Sequence, residues 1–331
     1  MAVKVGINGF GRIGRQVLKI GLERKDLEFV AVNDLAEPEI LATLLKYDSV
    51  FGKYAKDVSV EGDSIIVGSQ KVKVLKEKDP ANLPWDALGV QIVVESTGLF
   101  TSKEKASVHM KGSVRKVVIS APAKGEIDAT IVMGVNENIY DPARHHIVSN
   151  ASCTTNAFAH IVKVLHDNFG IKRGVMTTVH AYTNDQRILD QPHKDVRRAR
   201  AAGLSIIPTS TGAAKTIFEI YPELKGKIQA ISLRVPVSDV SIVDFACEVE
   251  KATTQEAVNE AFKKAQSKYL MYCEEPLVSI DFVGDTHSVI FDPSLTQVVD
   301  GTMVKVFGWY DNEWGYSTRL VDFIEYMAQR L

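Results

Sequence analysis

The sequence predicts an α/β protein in two parts: a mostly parallel sheet covered by helices, then an α+β part whose sheet is mostly antiparallel. Three observations carry this prediction. Over the first 150 residues, short apolar runs alternate with helix-patterned stretches, the arrangement that gives parallel strands joined by crossover helices. After Asn150 the runs lengthen and become β-rich, with only a few helical stretches between them. Gly9, Gly11 and Gly14 sit in the turn between the first strand and the first helix. At 331 residues and 45% hydrophobic, the chain is long enough for each part to bury its own core. The parts are read as residues 1–150, residues 151–313, and a C-terminal helix 314–331 expected to return to the first part.

In chain order, residues 2–8 read as a buried strand, 12–23 as a helix and 27–32 as a second strand ending at Asn33-Asp34, together a βαβ unit. Further strands are predicted at 65–67, 72–75, 91–95, 116–120 and 146–149, with helices at 39–45 and 103–110. In the second part the predicted strands are 174–182, 228–236, 240–249, 287–291 and 303–310. Its predicted helices are 154–167, 213–221 and 254–267, the last preceded by Thr253-Thr254-Gln255-Glu256, which has capping-box spacing. Residues 314–331 read as an amphipathic helix through Leu320, Ile324 and Met327.

The turn Gly9-Phe10-Gly11-Arg12-Ile13-Gly14 has G-x-G-x-x-G spacing directly after a strand, and Asp34 ends the next strand. Each part of that pattern has a physical reason. The first glycine makes the tight turn, the second lets a pyrophosphate approach the backbone, and the third lets helix and strand pack closely. The helix N-terminus then holds the negative charge. This is the signature of a Rossmann dinucleotide-binding fold. A carboxylate at Asp34 accepts hydrogen bonds from ribose hydroxyls and repels a 2′-phosphate, so NAD is preferred over NADP. Arg12, at the helix start, is placed to meet the pyrophosphate.

Ser149-Asn150-Ala151-Ser152-Cys153-Thr154-Thr155-Asn156 lies between an apolar strand and an apolar helix, which puts Cys153 at a helix N-terminus. Unpaired N–H groups and the helix dipole favour a thiolate there. A free cysteine is otherwise a small buried hydrophobe; the polar neighbours Ser152, Thr154, Thr155 and Asn156 argue for a nucleophile. A lone strand histidine is more often structural, yet a thiol nucleophile needs a base, and His180 is the candidate. His193–Arg200 is basic in a loop, an anion site or else a solvated charge cluster or subunit contact. Ser210–Lys215 opens a helix with small hydroxyl residues, an anion site or plain capping. Arg234 stands inside the apolar run 231–236 and calls for an anionic partner such as a ligand phosphate. A thiol nucleophile with a nicotinamide cofactor points to aldehyde oxidation through a covalent thioester.

The segments Val5–Arg15, Ser149–Asn156, Thr178–Thr183, Pro208–Lys215 and Trp309–Ser317 closely resemble the phosphorylating glyceraldehyde-3-phosphate dehydrogenases, and the resemblance runs end to end. It implies an NAD-dependent, homotetrameric enzyme of glycolysis that converts glyceraldehyde 3-phosphate and inorganic phosphate to 1,3-bisphosphoglycerate. It places the nucleophile on Cys153 and the base on His180. Thr183 and Arg234 match the site for the substrate's own phosphate; Ser152, Thr154, Arg198, Thr211 and Gly212 match the acyl and inorganic-phosphate side. With the glycines Gly9, Gly11 and Gly14, the positions Arg12, Ile13, Asp34, Lys78, Ser120 and Asn312 match contacts to NAD, Asn312 near the nicotinamide amide. Gln191, before Pro192, departs from the leucine of many NAD-specific members, so the cofactor preference rests mainly on Asp34. The alternatives are an erythrose-4-phosphate dehydrogenase, or a regulatory or RNA-binding role beside or instead of catalysis. Intact Cys153 and His180 favour catalysis, and Arg198 with Thr211 favours a phosphorylating enzyme.

A formal net charge of −2 and a pI near 6.5 argue against a dedicated nucleic-acid or membrane-surface binder. The cysteines Cys153, Cys247 and Cys273 are odd in number and widely spaced, which fits neither a disulfide framework nor a metal site and suits a reducing compartment. No apolar run approaches the length of a membrane span, and no leader pattern precedes the first strand. A cytoplasmic protein is expected.

Overall fold

In the computed structural model, which describes residues 2–331, the alternating segments of the first part build a nine-stranded sheet. Its strands are β1 Val3–Asn8, β2 Leu27–Asn33, β3 Val58–Glu61, β4 Ser64–Val67, β5 Gln70–Leu75, β6 Ile92–Glu95, β7 Lys116–Ile119, β8 Ala129–Thr130 and β9 Ile147–Ser149. The spatial order is β8-β9-β7-β6-β1-β2-β5-β4-β3. Every pair from β8 to β5 is parallel, and only the β3-β4-β5 edge is an antiparallel meander. Helices α1 Arg12–Gly21, α2 Pro38–Lys46 and α3 Lys103–Ala106 belong to this unit. The central strands are largely apolar because both faces are covered: Val5, Ile7, Ile92, Val93 and Val94 are fully buried. From β1 the chain winds first toward β2 and later to β6 on the other side, so the strand order reverses at β1. Ligands bind in open α/β sheets at the carboxyl ends of the strands flanking such a reversal. Those ends are Asn8, Asn33 and Glu95.

The three glycines of the first turn have separate geometric reasons. Gly9 has φ +93°, and a Cβ there would lie 2.6 Å from the Thr97 nitrogen. At Gly14 a Cβ would lie 2.2 Å from the Gly9 carbonyl oxygen, whereas at Gly11 it would meet nothing within 4 Å. Two glycines therefore close the turn on itself, and one leaves it open.

Residues Ser317–Leu331 also belong to the first unit. Ser317 Oγ donates to Gln16 Oε1 (3.2 Å), Arg24 pairs with Asp322 (2.7 Å), and Phe323 packs edge-on to Tyr140 with ring centres 5.9 Å apart.

The second unit, Ser152–Tyr316, has an eight-stranded sheet. Its strands are β10 Ile171–Ala181, β11 Ile207–Ser210, β12 Ile228–Val235, β13 Ser241–Val249, β14 Leu270–Tyr272, β15 Val289–Phe291, β16 Gln297–Val299 and β17 Met303–Tyr310. They run in the order β11-β12-β10-β13-β17-β15-β14, with β16 also on β17. The sheet is mostly antiparallel, as the sequence predicts, with parallel pairs at β10/β12 and β14/β15. Burial alternates strictly along β13, and its inward residues Val243, Phe245, Cys247 and Val249 are buried. Helix α4, Cys153–Phe169, packs on β10, β13, β15 and β17; α5 Ala213–Ile220 and α6 Gln255–Lys264 pack against α4. Helix α7, Trp314–Ala328, starts at the end of this unit.

Two local expectations need correction. The cap of α6 is Thr254, whose side chain accepts from the Ala257 N–H (3.2 Å), one residue later than the box read from Thr253. That helix ends at Lys264, three residues before the predicted Ser267. Among the described residues no helix is long and apolar enough to cross a membrane.

Gly14→Ala separates the roles of the glycines. Alanine gains about 1 kcal/mol over glycine in a helix, but here its methyl would press on a backbone oxygen that cannot swing away, and overpacking of that kind costs about 1–3 kcal/mol. Urea unfolding is expected to show net destabilisation for Gly14→Ala and almost none for Gly11→Ala. Equal losses in the two variants would contradict the packing described.

Candidate active site

The thiol is placed by the way α4 begins. Ala151 takes φ +57°, a left-handed conformation that costs a non-glycine residue about 1–2 kcal/mol and turns the chain from β9 into the helix. Ser152 is the N-cap: its Oγ accepts from the Thr155 N–H (3.1 Å) and lies 2.8 Å from Thr155 Oγ1. Asn156 Nδ2 donates back to Ser152 O (3.0 Å). The polar neighbours of Cys153 thus fix the helix start and make Cys153 its first residue.

His180 comes from β10, in register with Arg234 on the parallel neighbour β12. Cys153 Sγ lies 3.5 Å from His180 Nε2. On the far side of the ring, His180 Nδ1 is 2.7 Å from Ala181 O and 2.7 Å from Arg234 Nη1, which also donates to Ala181 O at 3.1 Å. A guanidinium only donates, so two arrangements compete. The tautomer with Nδ1–H on Ala181 O leaves Nε2 free to accept the thiol proton. Strand β12 is less buried than its apolar sequence implies: Ile231 is 44% exposed and Arg234 half-buried. The hydrogen bonds of Arg234 go to neutral acceptors, while its charge is felt alongside those of Cys153, Arg198 and Asp185.

Burial dominates the electrostatics here. It pushes the Cys153 thiol up, against the Arg234 cation, the Thr154 hydroxyl and the N–H groups of the first turn, which pull it down. The helix terminus acts in the direction the sequence predicts, and loss of solvation around the half-buried thiol opposes it. Burial, then the Arg234 charge, push His180 down to about 3. Both shifts favour the uncharged forms, thiol and imidazole.

Two arginines of the basic loop are paired with acids rather than free. Arg198 bonds Asp185 and Thr209 Oγ1, and its Nε lies 3.4 Å from Asp195; Arg200 pairs with Asp190 (2.9 Å). Thr211 Oγ1 accepts from the Ala213 N–H (3.3 Å) and Gly212 is the N-cap of α5, so capping is realised at that helix start. The Thr183 N–H donates to Gln186 Oε1 (3.3 Å).

In the first unit, a cavity of about 330 Å³ is lined by Gly9, Gly11, Asp34, Lys78, Ser96 and Thr97, among others. Asp34 accepts from the Phe10 N–H (3.0 Å) and the Ala36 N–H (3.2 Å), which leaves lone pairs on both oxygens for ligand hydroxyls. The open space at Gly11, beside the α1 N-terminus, fits a pyrophosphate, and the Asp34 carboxylate fits an unphosphorylated ribose. Arg12, Ile13 and Ser120 are not among the lining residues. Arg12 bonds Asp48 (2.7 Å), an acid from beyond α2 that local spacing gives no reason to expect.

Comparisons with known proteins agree with both halves. The family model described as glyceraldehyde 3-phosphate dehydrogenase, NAD binding domain, matches residues 3–103, and the one described as the C-terminal domain matches residues 152–312. Glyceraldehyde-3-phosphate dehydrogenase of Geobacillus stearothermophilus is 58% identical across 100% of this chain and 99% of its own length. Glyceraldehyde-3-phosphate dehydrogenase 1 of Bacillus subtilis is 55% identical at the same coverage. Glyceraldehyde-3-phosphate dehydrogenase 2 of Streptomyces avermitilis is 54% identical over 100% of both chains. The chain belongs to the glyceraldehyde-3-phosphate dehydrogenase family. In this member, sequence reasoning missed several residues that organise the two sites. Tyr310 stands edge-on to His180, ring centres 6.0 Å apart, and its hydroxyl bridges Thr154 Oγ1 (2.9 Å) and Thr178 Oγ1 (2.8 Å). Its signal was present, a tyrosine at an inward position of a β-strand inside the Trp309–Ser317 motif. Beside the cavity of the first unit, Glu95 accepts from Asn8 Nδ2 (2.6 Å), from the Thr97 N–H (2.9 Å) and from buried His109 (3.1 Å). Residues so far apart in sequence give no motif.

The His180 assignment makes a pH prediction. An unfolded imidazole takes a proton below 6.5 that the folded one refuses until about 3, so stability present above 6.5 is lost as the pH falls toward 3. Alkylation of Cys153 by iodoacetamide is expected to rise with pH through thiol ionisation, without an inflection at the ordinary histidine value. His180→Asn is expected to slow that alkylation about 10²-fold. An unchanged rate would return His180 to a packing role.

Proposed function

We propose that this chain oxidises glyceraldehyde 3-phosphate with NAD and inorganic phosphate to 1,3-bisphosphoglycerate, with Cys153 as nucleophile and His180 as base. The observation that carries this reading is the 3.5 Å contact between Cys153 Sγ and His180 Nε2 at the head of a capped helix, beside the Arg234 guanidinium. The thiol adds to the aldehyde carbon, forming the S–C bond and turning the carbonyl into a hydroxyl. His180 Nε2 takes the hydroxyl proton as the carbon gives up its hydride, leaving a thioester. Bound NAD supplies the acceptor for that hydride. A phosphate oxygen then attacks the thioester carbon, and the S–C bond breaks with the thiolate as leaving group.

The same geometry favours substrate control of the base. Arg234 is one cause of the low proton affinity of His180. A phosphate dianion on Arg234 and Thr183 offsets that charge and draws the guanidinium off Nδ1, which frees the tautomer that accepts at Nε2. Arg198, with Thr211 and Gly212, is read as the site for attacking phosphate; an anion there would join or displace Asp185 and Asp195. For the cofactor, Gly11, Asp34 and Lys78 are read as its cradle in the first unit. A homotetramer is part of this reading, supported by the exposed apolar side chains Ile188, Val196, Leu204 and Ile206. So is a cytoplasmic setting, supported by three unbridged cysteines.

Cys153→Ser is expected to abolish NADH formation and leave NAD binding nearly intact, because a serine hydroxyl is far too weakly acidic to replace the thiol. Turnover within about tenfold of wild type would remove the nucleophile from Cys153.

The two arginines separate the two phosphates. Loss of a charge-assisted contact costs about 1.5–3 kcal/mol, roughly 10- to 150-fold. Arg234→Leu should act chiefly on kcat/KM for glyceraldehyde 3-phosphate, and Arg198→Leu on the dependence of rate on inorganic phosphate. Steady-state kinetics with each substrate varied in turn decides it; equal effects of both variants on both substrates would merge the sites.

A further inference from the structure

Three neighbouring strands of the first sheet, β6, β1 and β2, end in Glu95, Asn8 and Asn33, and these three buried side chains form one hydrogen-bonded chain. The direction of its bonds is fixed from outside. Asn33 Oδ1 accepts from the Glu77 N–H (2.9 Å), so its Nδ2 is the donor, to Glu77 O (2.9 Å) and to Asn8 Oδ1 (2.7 Å). The Asn8 amide is thereby oriented as well, and its Nδ2 donates to Glu95 Oε2 (2.6 Å). From the other side the Trp85 indole, which can only donate, gives its N–H to His109 Nδ1 (3.2 Å). The proton of that imidazole is then on Nε2, which donates to Glu95 Oε2 (3.1 Å). Glu95 Oε1 accepts from the Thr97 N–H (2.9 Å) and from the Thr97 hydroxyl, which itself accepts from the Leu99 N–H (3.1 Å).

Four donors thus converge on one carboxyl group that is 1% exposed, and only an ionised carboxylate accepts from all four. What they hold is a wall of the cavity. Asn8, Asn33, Glu77 and Thr97 line it, whereas Glu95, His109 and Trp85 stand behind. The amides of the two asparagines are engaged within the chain, which makes them wall rather than ligand contacts. Thr97 is also the residue on which the first glycine rests: its nitrogen, the one bonded to Glu95, lies 2.6 Å from where a Cβ on Gly9 would be. Ser96 Oγ closes the same contact by donating to Gly9 O (2.6 Å). We propose that Glu95 is a positioning residue for the cofactor: without touching the ligand, its carboxylate locks the Ser96–Leu99 turn against the glycine turn and joins the ends of β1, β2 and β6 into one wall. The proposal rests on the reading of this cavity as the NAD site.

Glu95→Gln keeps the shape and replaces one acceptor oxygen by an NH2 group. Whichever way that amide turns, its NH2 faces donors, because Glu77 and Trp85 hold Asn8 and His109 in their orientations. Calorimetric titration with NAD is expected to show affinity lower by about tenfold, the equivalent of a buried donor left unpaired. Steady-state kinetics is expected to show KM for NAD rising by about the same factor and KM for glyceraldehyde 3-phosphate moving far less. Unchanged NAD affinity, or equal rises in the two KM values, would overturn the proposal. Should Glu95→Gln not fold, His109 supplies the test from behind the wall. His109→Gln keeps an acceptor for the Trp85 N–H and a donor for Glu95, whereas His109→Phe keeps a ring against Trp85 and Phe100 and removes the donor. His109→Phe is expected to bind NAD several-fold more weakly than His109→Gln, and equal affinity in the two would overturn the proposal. Asp34→Ala separates the role of Glu95 from the reading beneath it. Unchanged NAD affinity in Asp34→Ala would overturn the cavity as the NAD site; affinity lost there and kept in Glu95→Gln would overturn the role of Glu95 alone.

Discussion

The Ser152 hydroxyl, accepting the Thr155 N–H at 3.1 Å, sets the first turn of α4, and the rest of the thiol site follows from that register. Each residue along an α-helix turns the side chain by about 100°, so a start displaced by one position would aim Cys153 away from β10. A cap contributes only about 1 kcal/mol. It decides the outcome because burial fixes the rest of the helix, with Phe158, Ile161, Val162 and Leu165 fully enclosed between the sheet and its neighbours. The apolar residues choose the rotation of α4 and the cap chooses where it begins. Neither alone brings Sγ to 3.5 Å from His180.

Burial that strong has a chemical consequence. A site dry enough to hold a thiol and an imidazole in contact opposes their charged forms, and Arg234 adds a cation that opposes protonation of His180 further. The resting site is consequently poised rather than ionised. Its balance turns on a single guanidinium that bonds the ring nitrogen opposite the thiol. An anion that engages Arg234 acts on the imidazole, and through it on the sulfur, without touching either. In the proposed reading, coupling between substrate binding and base strength is built from three side chains on α4, β10 and β12.

Most of the architecture was legible in the sequence because each signal was local. The β1-turn-α1 glycines, the alternation along β13 and the run from Ser149 to Asn156 each state their structure within a dozen residues. What was not legible depends on pairing across the chain. The parallel contact of β10 with β12 reads no differently from an antiparallel one in sequence. The acids that hold Arg12 and Arg198 come from Asp48 and Asp185, and no spacing rule links them to those arginines. Thr253 and Thr254 offer the same cap chemistry, and only the extended backbone of Thr254 (φ −125°, ψ 165°) selects it. The electrostatics of Cys153 divide in the same way, since the helix N-terminus that favours a thiolate is a local feature and the desolvation that opposes it is not.

Among the described residues, two of the three non-glycine residues with positive φ stand directly beside side chains of the candidate site: Ala151 before Ser152-Cys153, and Val240 before Ser241. Glycine would relieve either strain of about 1–3 kcal/mol. It would also widen the conformations open to the unfolded chain, and it would loosen the folded turn at the point where direction matters most. At residue 151 the turn is tied by the Ala151 N–H to Ser149 Oγ (3.0 Å) on one side and by the Ser152 cap on the other. At residue 240 it is tied by Ser241, bonded at once to the Ala181 N–H and Asn312. In both places a stiff residue is held in an unfavourable conformation by flanking hydrogen bonds. The strain marks where the backbone has one permitted direction, and in each case that direction delivers a side chain to the site.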